Sequence, residues 1–198
     1  DGSTFQMYMA NMKSIFMDMI KNTDMVIFNR CKKEDPLPTY RRGIKVANQR
    51  AEVIFEDEEG ELGDIFQDEM PFDMNAPVIE ILPEDYGIWF VDAMDHPENY
   101  EGKTVKFKAR VMKPRGMGSK FFVPGRTAMT CCADDTTFLG YVCKSAYAPK
   151  LTPGEWVEVT AKVGIEKRNE YQGEEGIVLS AEHVEQCDPL EDEMVYFN

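Results

Sequence analysis

The chain has 198 residues, 43% hydrophobic and 11% aromatic, with 36 acidic against 22 basic side chains and a net charge of -14. This size and composition suit one large or two small globular domains. The acidic balance repels phosphate backbones and anionic lipid surfaces, so neither nucleic acid nor membrane insertion is expected.

From Phe5 the apolar residues Tyr8, Met9, Met12, Ile15, Phe16, Met19 and Ile20 recur at spacings of three and four, which predicts an amphipathic helix. The apolar run Met25 to Phe28 follows and ends abruptly in Asn29-Arg30-Cys31, the pattern of a strand covered on both faces. Pro36 and Pro38 bound a turn before a second helix over Thr39 to Arg50, and Ala51 to Phe55 reads as a second strand. Helix, strand, helix, strand is the order of an α/β unit with a parallel sheet, but two strands leave both edges open, so a homodimer is expected. Residues 56–73 hold nine acids and no base and are read as part of an acidic linker over 56–77.

Pro77 to Leu82 is a further strand candidate, and Pro83 opens a helix whose Tyr86, Trp89, Phe90, Ala93 and Met94 share a face, stopped at His96-Pro97. After Gly102 the period changes to two, with Val105, Phe107, Ala109 and Val111 alternating with Lys106, Lys108 and Arg110. Lys120 to Val123, Ala128 to Cys132, Phe138 to Cys143, Trp156 to Val163 and Ile177 to Val184 add strands separated by turn signals. Short strands after one helix predict a small antiparallel OB-like β-barrel over residues 78–198. The basic strand from Lys103 to Arg115 is the one feature favouring nucleic acid, against the charge of the whole chain.

Two constellations could carry chemistry. Asn29, Arg30 and Cys31 stand at a strand's C-terminal end, where ligands of parallel sheets are held, and an Asn amide with a cationic stem could meet a guanine edge. Lys32 occupies the position where a carboxylate would complete that corner. In RTAMTCCADD, Cys131 and Cys132 could join Cys143 and Asp134 in a thiolate site suited to zinc, although adjacent strand residues point to opposite faces. The alternative is one core thiol and one accessible thiol. Only His96 and His183 could partner a catalytic cysteine, so no catalytic residue is assigned. The five cysteines, odd in number and irregularly spaced, favour reduced thiols and a cytoplasmic location. No apolar run approaches the roughly 18 residues of a membrane span. The opening DGSTF lacks Met, as a processed chain or a fragment would.

The order DGSTF, helix, DMVIFNRC, a Pro-bounded helix ending Ala47-Asn48-Gln49-Arg50-Ala51 and then Glu52-Val-Ile-Phe resembles the second half of the G domain of CobW-type P-loop GTPases, over about residues 1–55. That resemblance implies GTP and Mg²⁺ in a full-length protein, metal homeostasis, and a metal-transport permease or metal-receiving protein as partner. The phosphate loop of that family has no counterpart here, so this chain alone is not expected to hydrolyse GTP. Residues 78–198, through Pro97-Glu-Asn-Tyr-Glu-Gly-Lys, Phe122-Val-Pro-Gly-Arg, Thr130-Cys-Cys-Ala-Asp and Gly154-Glu-Trp-Val-Glu-Val, resemble the C-terminal domain of YcgQ-type predicted permease subunits. The combined expectation is an α+β chain: a partial α/β, GTPase-like segment, then an OB-like barrel that binds a partner or a metal. A purely accessory module of a permease subunit is the alternative.

Overall fold

A computed structural model describes residues 1–63, 70–129 and 136–196, and these divide between two units: one drawn chiefly from 1–63, the other from 70–127 and 138–195. In the first unit a 3-10 turn at Gly2–Thr4 leads into α1 (Phe5–Ile20), then β1 (Met25–Phe28), α2 (Leu37–Ala47) and β2 (Glu52–Phe55), with β1 and β2 paired in parallel from Met25↔Glu52 to Phe28↔Phe55. Its core joins Phe5, Met17 and Ile20 of α1 to Phe28, Tyr40, Ile44 and Phe55. Phe5 packs edge-on to Phe28 with ring centres 4.8 Å apart, and Phe28 stacks on Phe55 at 5.0 Å.

The first unit departs from the sequence reading in two places. β1 is covered on one face only: Phe28 is buried, whereas Met25 and Ile27 stay 44% and 50% exposed. No helix among the described residues of this unit lies over the other face, and hydrophobicity alone does not supply one. On α1 the stripe Tyr8, Met12, Ile15 and Met19 is exposed, because α2 and the sheet cover only the Phe5, Met17 and Ile20 side. The helix is also broken at Met12 (φ -139°, ψ 27°), one residue after Asn11 turns its amide onto the Met7 carbonyl at 2.8 Å.

The acidic stretch after β2 opens as a tight turn. Glu56 and Glu61 form an antiparallel bridge, and the Asp57 carboxylate accepts the Glu59 and Gly60 amides at 2.7 and 3.1 Å. In α2 the interior residue Gly43 has nothing within 4 Å of where a Cβ would sit. Gly43→Ala should therefore stabilise the first unit by about 0.5–1 kcal/mol through lower unfolded-state entropy. A raised urea midpoint checks this; a lowered one contradicts it.

The second unit begins with β3 (Ile79–Glu80), a 3-10 turn at Pro83–Asp85 and α3 (Tyr86–Asp95), which stops at His96-Pro97 as expected. Then follow β4 (Thr104–Met112), β5 (Phe121–Met129), β6 (Thr136–Gly140), β7 (Val142–Lys144), β8 (Trp156–Lys167), β9 (Glu175–Gln186) and β10 (Met194–Val195). The pairings form a circuit: β4 with β5, β5 with β7, β7 with β9, β9 with β8 and β8 back to β4. That is a closed five-stranded barrel of OB-like type. It is mixed rather than wholly antiparallel, since β7 and β9 run parallel and β3 joins β4 in parallel.

Alternation produces the barrel as read. Val105, Phe107, Ala109 and Val111 of β4 and Val157, Val159, Ala161 and Val163 of β8 are all buried, while the intervening lysines, Arg110, Glu158 and Thr160 reach outward. Between Thr160 and Ala161 the β8–β9 register slips, leaving Glu182 unmatched, a bulge of the kind that curves a sheet toward closure. α3 lies on the barrel through Trp89, whose ring centre is 4.8 Å from Phe107 and 5.6 Å from Tyr141. The buried hydroxyls of Tyr86 and Tyr141 donate to the Leu139 and Phe90 carbonyls.

Candidate functional site

The strand-end constellation of the first unit is assembled by backbone contacts. The Gly2 amide donates to the Asn29 carbonyl at 2.8 Å, and a Cβ on Gly2 would stand 2.9 Å from the Cys31 sulfur, so only glycine permits this approach. Asp1 is thereby brought to the end of β1, where it pairs with Arg30, a residue in the left-handed region at φ 56°. Cys31 is buried, its amide donating to the Glu56 carbonyl at 2.9 Å and its thiol to Phe28 at 3.3 Å; burial raises its pKa. The Asp35 carboxylate accepts the Lys32 amide at 2.8 Å, which engages it within its own loop. Of the three sequence-named residues, then, Asn29 presents an exposed side chain, Arg30 is held by Asp1, and Cys31 is part of the core.

Asn48, one residue of the helix-end motif, is a staple. Its amide nitrogen donates to the Ile20 and Thr23 carbonyls at 2.9 and 2.7 Å, and its oxygen accepts the Arg50 amide at 3.1 Å. It ties the exits of α1 and α2 together.

Of the thiolate set, Cys131, Cys132 and Asp134 lie outside the described residues. Cys143 sits on β7 with no exposed surface, and burial pushes its thiol up to about 12. Among the described residues no group of three metal-ligating side chains comes together. In the folded protein at pH 8, Cys143 should resist an aromatic disulfide reagent and react only after denaturation; prompt labelling of this residue would contradict the burial.

A feature absent from the sequence reading lies in the barrel unit. The β4–β5 loop, residues 114–118, and the β8–β9 turn, residues 167–170, face each other across a cleft of about 560 Å³ with Phe121 between them. Gly116 (φ 87°) turns the loop, and Lys113 anchors its start on the Leu151 carbonyl. On the other wall Gln172 and Gly173, both at positive φ, close the turn, with the Gly173 amide on the Arg168 carbonyl at 2.9 Å. Arg168 covers the Phe121 ring, its guanidinium carbon 4.3 Å from the ring centre. It is paired with Glu170 at 3.0 Å and Glu166 at 3.7 Å, and the Glu170 hydrogen bond raises its pKa. The Arg115 and Lys167 side chains are exposed and have no hydrogen bond or ion pair among the described residues. The cleft thus presents two free cations to solvent in a chain of net charge -14.

The basic strand flagged for nucleic acid is partly neutralised. Lys106 pairs with Glu158 at 2.9 Å and Arg110 with Glu193 at 3.6 Å.

The second unit is therefore a closed OB-like barrel with a helix against it and a cleft between two of its loops. The DUF1980 C-terminal domain family matches residues 61–197, and the chain belongs to that family, a YcgQ-like one. No curated protein matches the chain. Among solved structures it is similar to the mitochondrial single-stranded DNA binding protein Rim1 from S. cerevisiae, at 10% identity over 44% of this chain and 97% of that one, with a TM-score of 0.27. It is also similar to the aspartyl tRNA synthetase from Entamoeba histolytica, at 15% identity over 60% of this chain and 27% of that one, with a TM-score of 0.30. Neither likeness bears on what this chain binds.

Proposed function

We propose that the chain is a non-enzymatic binding module, the accessory domain of a permease-related protein. The observation that carries this reading is membership of the DUF1980 C-terminal domain family over residues 61–197. The cleft supports it: its walls offer exposed cations beside an apolar strip, groups that hold and orient a ligand. By analogy of fold alone, loops at this place in OB barrels are where ligands are held. A photo-crosslinking amino acid placed at Met117, inside the cleft, tests the reading in living cells. An adduct with an integral membrane protein is expected, and adducts confined to soluble proteins would overturn it.

A second reading, for residues 1–55, is the retained part of a CobW-type GTPase. It is supported by the parallel β1–α2–β2 unit and by Asp1-Gly2 lying against Asn29. Reading the gene upstream of Asp1 decides it: a Gly-rich loop ending in Lys supports the relationship, and membrane helices with no such loop dismiss it.

A further inference from the structure

We propose that the cleft between loop 114–118 and turn 167–170 binds a carboxylate-rich extended peptide, an acidic segment of the partner protein. The inference rests on the binding-module reading and adds the chemistry of the ligand. Arg115 and Lys167 stand one on each wall, solvated and without internal partners among the described residues. Arg115 can grip a carboxylate in bidentate fashion, and Lys167 supplies a second point charge. Between them Met117 and the edge of Phe121 give an apolar strip, and the volume of about 560 Å³ is that of a site for a short peptide rather than a lone ion.

Single-stranded nucleic acid suits the cleft less well. Such ligands are held by stacking bases on free aromatic faces and by neutralising many phosphates in a row. Here Arg168 already covers the Phe121 ring, and Glu166 and Glu170 on the same wall would repel a phosphate ladder. An acidic peptide tolerates both features, since its charges can be spaced to meet the two free cations alone.

The test is fluorescence anisotropy on the full chain with three probes: a labelled peptide alternating Glu with Leu, a labelled oligo-dT of matching length, and inorganic phosphate as competitor. The Glu/Leu peptide should bind, weaken as salt rises, and lose about tenfold or more in affinity in Arg115→Glu/Lys167→Glu. Lys162→Glu, an exposed site elsewhere on β8, should leave binding unchanged. No peptide binding, indifference to the charge reversal, tighter binding of oligo-dT, or full displacement by millimolar phosphate would each overturn the proposal. Crosslinking from Met117 in the doubly reversed variant separates the two levels. A membrane-protein adduct undiminished by the reversal removes the acidic ligand and leaves the module reading standing; its absence from the wild-type protein removes the module reading itself.

Discussion

Gly125→Ala should lower the melting midpoint of the barrel unit by roughly 10 °C or prevent its folding. A Cβ at this position would lie 2.4 Å from the Leu139 carbonyl oxygen and 2.4 Å from the Phe138 ring. Across the same crossing, a Cβ on Gly140 would lie 2.6 Å from the Pro124 carbonyl oxygen. β5 and β6 approach each other backbone to backbone here, and a backbone oxygen cannot swing aside as a side chain can. Overpacking of this kind costs about 1–3 kcal/mol, and with both strands fixed in the sheet the upper end is expected. Thermal unfolding followed by circular dichroism measures it, with Gly164→Ala as the comparison, because a Cβ there meets only an ordinary contact at 3.7 Å. Equal midpoints for the two variants would show that the crossing can relax.

The second large effect is expected at Arg126, which is 2% exposed. Its guanidinium donates to the carbonyls of Pro83, of Asp192 at 3.0 Å and of Met194 at 3.1 Å, and lies 5.6 Å from the Tyr86 ring centre, while its Nε has no partner among the described residues. Burial lowers its pKa, and the described contacts replace lost water with carbonyl dipoles rather than a carboxylate. Arg126→Ala would strand three carbonyls and open a cavity, a loss of about 3–5 kcal/mol. Arg126→Met keeps much of the volume and should cost less. Both should speed amide exchange at Met194 and Val195, since β10 loses its clamp. Unchanged protection there in the alanine variant would rule out the clamp.

The barrel was legible wherever one side of a strand faces water. Along β4 and β8, Val-Lys and Val-Glu alternation records inside and outside residue by residue. β5 was less legible: the sequence suggests one strand ending at Val123 and another starting at Ala128, yet a single strand runs through, with Pro124 opposite Val111 and Gly125 opposite Arg110. The glycine there serves the close crossing, not a turn. On β1, MVIF records hydrophobicity but not what covers it. The cleft was invisible for a different reason, because Arg115 and Lys167 are distant in sequence and line one cleft only in the folded barrel. The strand-end constellation was legible as a location, while the engagement of Arg30 by Asp1 depends on the Gly2 approach.

Closure of the barrel also limits how a second protein can hold this chain. β4, β5, β7, β8 and β9 pair around the ring, and the short strands β3 and β10 add to β4 and β5. Among the described residues the sheet can be extended only along the outer strands β3, β6 and β10, so a partner would be met mainly through side chains and loops. The first unit differs. Among the described residues its sheet has two four-residue parallel strands, with the chain after β2 folding back so that the Leu62 amide donates to the Phe55 carbonyl at 2.8 Å.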